Sequence, residues 1–189
     1  MGAKILTKAT DLSKTILSQV IKEGDITVDA TAGNGNDTLF LAQSVGRVGK
    51  VFAFDVQQTA LEETKKKLEK HQVLHQVQLI HSGHEYMDEY IKEKVSVVMF
   101  NLGYLPKADH NIVTKPETTI IALEKSIALL KPNGILSLAV YHGHKEGEEE
   151  KERILSYVRG LEQRLCNVLY MDFINQINKP PLLIMIEKK

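Results

Sequence analysis

Side chains suited to group-transfer chemistry lie far apart along this chain: Asp29, Asp55, Asn101 with Tyr104, and His142 with His144. Asp29 opens the stretch DATAGNGNDT, which leads from a β-branched run through Gly33 and Gly35 into an amphipathic segment. A G-x-G turn between strand and helix admits a ligand close to the backbone, because neither glycine has a side chain in the way. A dinucleotide site asks for a third glycine three positions beyond Gly35, where Thr38 stands, and no basic residue or P-loop lysine accompanies the turn. Asp29, at the strand end, can attract a positively charged ligand, directly or through water, or can cap the turn instead. Asp55 follows Gly33 by 22 residues, the separation at which an acidic side chain reaches ribose hydroxyls. Two carboxylates without a phosphate clamp favour a cationic, phosphate-free nucleoside over a dinucleotide. Its cradle would be the turn itself: Ala30, Gly33, Asn34, Gly35, Asn36, Asp37 and Thr38.

The elements that must bring these residues together are read from periodicity. Leu12, Ile16 and Val20 share one face of TDLSKTILSQVIK, which predicts a first helix over about residues 8–23. Strand signals recur at residues 26–32, 49–56, 77–83, 95–103 and 135–143. Between them helices are expected from Asn36 or Asp37, over 59–70, through TTIIALEKSIALL up to the stop Pro132-Asn133-Gly134, and across KEGEEEKERILSYVRGL. Glu62/Lys66 and Glu63/Lys67, four apart, read as a solvated face with the acid leading. Alternation of strand and helix implies parallel strands, right-handed crossovers and a ligand at the C-terminal strand ends. The tail differs, because residues 165–174 and 181–189 are strands separated only by NQINKP, too short for a crossover helix. They must pair as an antiparallel hairpin. The expectation is one α/β domain over residues 1–189, Rossmann-like, with a mostly parallel seven-stranded sheet, a C-terminal antiparallel hairpin and helices on both faces. That layout resembles the class I S-adenosylmethionine-dependent methyltransferases. The resemblance implies an adenine ring near Gln57, Gly83 and His84; His84 can equally be read as an exposed helix-capping residue.

FNLGYLP, residues 100–106, occupies the place where amino-methylating members of that fold carry an Asn/Asp-Pro-Pro-aromatic loop. Methyl transfer is an in-line displacement at carbon, so the acceptor nitrogen must aim a lone pair at the methyl from about 3 Å. An ammonium has none. Asn101 can hold a neutral amine through its side-chain carbonyl, the backbone carbonyl of Leu102 can accept a second N–H, and Tyr104 can stack on a base or pack beneath the cofactor. Leu102-Gly103 replaces Pro-Pro, a departure that weakens the case for a flat base amine. A plain strand-ending turn is the alternative.

DATAGNGNDT, NLGYLPKADH, TKPETT, YHGHKEG and NQINKPPLLIMIEK together resemble the small YtqB/MnmM family, whose members carry an rRNA-methylase label. The resemblance implies methylation of the primary amine of 5-aminomethyl-2-thiouridine at wobble position 34 of tRNA. An alkylamine titrates far above neutrality, as Lys does at about 10.4, so its deprotonation becomes the central problem. Asp29, His142 and His144 are the candidate proton acceptors, with Asn101 and Tyr104 orienting the amine.

The 24 Lys+Arg balance the 24 Asp+Glu, which excludes a globally basic protein that coats nucleic acid. RNA contact must then be local. Lys107, His110, Lys115, Tyr141, His142, His144, Lys145, Asn175, Gln176, Asn178 and Lys179 form a rim suited to a short anticodon stem-loop, whose unstacked bases meet aromatics and amides. His142 and His144 stand two apart without further Cys or His at ligand spacing, so no metal is expected. Cys166, the one cysteine, reads as a core thiol. No apolar run reaches bilayer length and the start MGAKILTKATD lacks a signal-peptide core, so a cytoplasmic protein is expected. Homodimerisation is implied by the resemblance alone. Competing readings are a methyltransferase for an rRNA or tRNA base amine, one for a small-molecule amine, and a non-catalytic binding module.

Overall fold

β1 (Ile26–Asp29) and β2 (Lys50–Asp55) are short β-branched and aromatic runs buried on both sheet faces, as central parallel strands must be. The computed structural model describes residues 8–103, 114–143 and 145–189, without the side chains of residues 145 and 146. β3 (Val77–His81), β4 (Val95–Leu102), β5 (Leu130–Val140), β6 (Cys166–Met171) and β7 (Leu182–Lys188) complete one sheet of order β3-β2-β1-β4-β5-β7-β6. The first five strands are parallel; β7 inserts antiparallel between β5 and β6. The hairpin read from the tail is present, with its second strand on the inside.

Register places the site. Asp29 pairs with Ala53 and Met99, and Leu102 pairs with Val140, so the ends of β1, β4 and β5 share one sheet edge. α1 (Ala9–Leu17) and α2 (Asn36–Val45) cover one face through Leu17, Leu41, Val45, Val97, Met99 and Met185. α3 (Gln58–Lys70) rests on that face through Leu61 and Ala53. A short α4 (Met87–Tyr90), α5 (Pro116–Leu129) and α6 (Lys145–Arg159) cover the other, over Phe52, Phe54, Phe100, Leu123, Ile154 and Ile184. Cys166 is buried in that second core.

The first helix ends at Leu17, short of the predicted boundary, because the chain must turn to feed β1. Asp25 closes that turn by accepting the Lys22 N–H at 2.9 Å, and Ile21 still packs in the core. Pro132-Asn133-Gly134 does not simply stop α5. β5 already pairs at Leu130 with Val95, then resumes at Ile135 with Val97, and Asn133 takes φ +63° in the excursion between. On α3 the pairs differ from those expected: Lys66 meets Glu63 at 2.6 Å, and Lys65 stands 4.0 Å from Glu69. Among the described residues no helix is long and apolar enough to cross a membrane.

Candidate active site

The corner between β1 and α2 is braced from within. Asp29 is fully buried; one carboxylate oxygen accepts the Thr31 N–H at 3.1 Å and the other the Thr38 hydroxyl at 2.6 Å. This is the turn-capping arrangement of the two read from the sequence. Burial, then the charge of Asp37, pushes the Asp29 carboxyl up to about 7. Asp55 braces the same turn from β2, accepting the Gly33 N–H at 2.8 Å and the Gln57 N–H at 2.9 Å. Thr64 on α3 donates to the Gly33 carbonyl at 2.9 Å. Gly33 and Gly35 take φ +50° and +70°.

The reading that both glycines clear space for a ligand needs correcting at Gly35. A Cβ there would lie 2.8 Å from Thr64 Oγ1, so the missing side chain makes room for α3. The absence of basic residues near the turn is also corrected. Lys14 Nζ lies 2.6 Å from Asp37 Oδ1 and 3.4 Å from the Asn36 carbonyl, and Lys67 donates to the Asn36 side-chain oxygen. Burial and the neighbouring Lys14 charge hold the Lys67 ammonium below its ordinary value. Asn34 and Asn36 are exposed, whereas Ala30, Asp37 and Thr38 are buried.

At the end of β4, the Asn101 backbone N–H donates to Thr31 Oγ1 at 2.7 Å. Its side-chain Nδ2 donates to Asp37 Oδ2, which leaves Oδ1 as the acceptor end of the amide. The second acceptor expected here, the Leu102 carbonyl, already accepts the Tyr141 N–H at 3.0 Å, because β4 and β5 stay zipped to their ends, which leaves it one lone pair. Gly103 donates to Thr114 Oγ1 at 3.1 Å, and Thr114 and Thr119 donate to the two oxygens of Glu150 at 2.6 and 2.7 Å. Glu150, within the acidic stretch KEGEEEKERILSYVRGL read as the last helix, is buried, and no local pattern marks it out. Tyr104, Lys107, His110 and His144 lie outside the described residues, as does the side chain of Lys145.

His84 is buried rather than exposed. Its Nδ1 lies 3.2 Å from the Ala30 carbonyl, its ring meets Phe100 edge-on, and Nε2 is buried without a hydrogen-bond partner. Burial lowers its pKa, favouring the neutral ring. Gly83 precedes it directly. His142, just beyond β5, has Nδ1 3.6 Å from Glu148 Oε2, and neither ring nitrogen is hydrogen-bonded. Tyr141 is partly exposed, and desolvation of its phenol, then the charge of Asp37, raises its pKa. Glu148 is held low by its Lys151 hydrogen bond, with smaller help from His142 and Lys179, so the loop before β7 approaches this end of α6. Lys115, Asn175, Gln176, Asn178 and Lys179 are exposed. Among the described residues no cluster of three His, Cys, Asp or Glu could hold a metal ion.

The sequence profile of the "Putative rRNA methylase" family matches residues 51–187. The chain belongs to this family. A chloroplastic Arabidopsis thaliana protein named tRNA (mnm(5)s(2)U34)-methyltransferase is 37% identical over 96% of this chain and 70% of its own length. The "putative rRNA-methylase" of Clostridium thermocellum superposes with a TM-score of 0.96 at 48% identity, covering 97% of this chain and 99% of that one. A "putative methyltransferase" from Streptococcus mutans, solved in complex with SAH, superposes with a TM-score of 0.89 at 42% identity, again over 97% and 99%. The fold is that of the class I methyltransferases, and the chain is an S-adenosylmethionine-dependent methyltransferase.

Proposed function

We propose that this methyltransferase moves a methyl group from S-adenosylmethionine to the primary amine of 5-aminomethyl-2-thiouridine at wobble position 34 of tRNA, giving the methylamino form. The observation that carries the reading is the Asn101 amide: with its NH2 spent on Asp37, its oxygen is left to accept an amine N–H. The activity in the name of the Arabidopsis relative supports the same substrate.

The residues present fit the cofactor. The half-buried Asp55 carboxylate suits the ribose hydroxyls, the unpartnered Nε2 of His84 and nearby Gly83 suit the adenine, and the braced turn suits the amino-acid end. Bound there, the cofactor supplies an electrophilic methyl on a positively charged sulfur. Asn101 Oδ1 accepts one N–H of the neutral amine and so turns the nitrogen lone pair toward that methyl. The nitrogen–carbon bond forms as the carbon–sulfur bond breaks, and the positive charge passes from sulfur to nitrogen. Before that step the substrate ammonium must give up a proton. Asp29 is sealed beneath the turn and His144 lies outside the described residues; we assign the proton to His142, whose unbonded Nδ1 faces Glu148 Oε2 at 3.6 Å.

The exposed Lys115, Tyr141, Asn175, Gln176, Asn178 and Lys179 would meet the anticodon loop. The edge strand β6, with Val168, Leu169 and Tyr170 exposed, would pair two copies into a homodimer, and the enzyme would work in the cytoplasm. Incubation of aminomethyl-bearing tRNA with the pure chain and cofactor, followed by nucleoside mass analysis, tests the reaction. The expected product carries one added methyl at nucleoside 34. An unchanged nucleoside, or equal turnover of simple amines without RNA, overturns the reading.

A further inference from the structure

We infer that Lys14 is a positioning residue for the transfer: its ammonium grips Asp37, and Asp37 in turn holds the Asn101 amide with its oxygen toward the acceptor nitrogen. The inference rests on the reaction proposed above. An asparagine amide turned by half a rotation swaps oxygen for NH2 with almost no change of shape. Only one orientation serves an amine acceptor. The oxygen takes an N–H and leaves the lone pair free, whereas the NH2 would donate to that lone pair and block it. An ionised carboxylate only accepts, so Asp37 selects the productive orientation by taking the Nδ2 hydrogens.

Asp37 is 6% exposed, and a buried carboxylate needs a counter-charge. The groups around it come from five elements: Lys14 on α1, Asp29 on β1, Asn101 on β4, Lys67 on α3 and Tyr141 after β5. Of these, Asp29 and Tyr141 bring no positive charge, and Lys67 donates to Asn36 instead. Lys14 is the cation in contact, at 2.6 Å. Its aim is set one residue earlier, where the Ser13 hydroxyl bonds the Ser137 hydroxyl of β5 at 2.7 Å inside the core. Helix α1 thus delivers one charge to this edge of the sheet. Without it, Asp37 shares a buried corner with Asp29, and the remaining cation, Lys67, is bonded to Asn36 rather than to the carboxylate.

The test compares Lys14→Met, Lys14→Arg, Asp37→Asn, Asn101→Ala and the Lys14→Met/Asn101→Ala double variant on aminomethyl-bearing tRNA. Lys14→Met and Asp37→Asn are expected to lower kcat about 10- to 100-fold, with the cofactor Kd of Lys14→Met by calorimetry within about threefold of the parent. Lys14→Arg should restore most of kcat, and the double variant should be no slower than Asn101→Ala alone. Independently of turnover, the Asn101 side-chain amide protons should resonate downfield and exchange slowly in the parent, and lose both features in Lys14→Met. Should Lys14→Met fail to fold, Lys14→Met/Asp37→Asn removes both charges and carries the same expectations. An unchanged kcat, additive losses, or a cofactor Kd weakened in step with kcat/KM overturns the inference. A parent chain inactive on this tRNA overturns the reaction instead, while the amide resonance still decides whether Lys14 acts through Asp37.

Discussion

The corner between β1 and α2 and the rim around His142 stand on the same sheet edge and are built in opposite ways. In the corner, both oxygens of Asp29 and both of Asp55 are committed to protein donors, and Thr31, Thr38 and Thr64 are all engaged. On the rim, the His142 nitrogens are unbonded, and Ile174 and Ile177 are 96% and 93% exposed. A small ligand of fixed shape gains from a site whose dipoles are already in place. A looped nucleic acid is met by side chains that still have donors and apolar surface to offer. Asn101 stands where the two meet, anchored by Thr31 and Asp37 on one side and open on the other.

Several substitutions would sharpen or break that contrast. Asn101→Ala should have the largest effect, a fall in kcat of about 10²- to 10³-fold with cofactor affinity nearly unchanged, read by steady-state kinetics and calorimetry. A loss confined to cofactor affinity would make Asn101 part of the corner alone. Asp29 should show itself in stability against pH. Its folded carboxyl is pushed up to about 7 from an ordinary 3.8, so between those values the native state holds a proton that the unfolded chain has released. Stability therefore falls as pH climbs through that window, by on the order of 4 kcal/mol. Urea unfolding of Asp29→Asn across that window should give a flatter profile; a parent already flat there would contradict the buried acid. Gly35→Ala should destabilise by about 2 kcal/mol, through its φ and the Thr64 contact. Removing the Thr64 side chain as well should recover part of it. Smallest is Lys179→Ala, expected to raise KM for tRNA about threefold and reduce the salt dependence by about one ion, with urea stability within about 0.5 kcal/mol. Destabilisation comparable to Gly35→Ala would show the rim to be as tightly built as the corner.

Much of the frame was legible because it is recorded locally. The buried runs of β1, β2 and β4, the hairpin forced by a six-residue connection, the buried Cys166 and the spacing of Gly33 from Asp55 all follow from near neighbours or motif geometry. Reading failed where a residue's partner is distant. Thr64, inside the helix read over 59–70, holds the Gly33 carbonyl, 31 residues away. Lys67 looked solvated but reaches Asn36, 31 residues away. Glu150 sat in an acidic run and is instead the buried acceptor for Thr114 and Thr119. The Leu102 carbonyl also gains a partner the sequence did not show, the Tyr141 N–H of the chain after β5.

From sequence alone came the alternation of strand and helix, the glycine corner, the carboxylate at the end of the second strand and the asparagine at the end of the fourth, since periodicity and turn chemistry depend on residues a few positions apart. Tertiary structure alone decided that β7 lies inside β6, that Gly35 yields to α3 rather than to a ligand, and that a lysine on the first helix stands behind Asn101. Those choices depend on how α1 docks on β5 and α3 on the turn, where the contacting residues are 22 to 124 positions apart and no local pattern encodes the partner.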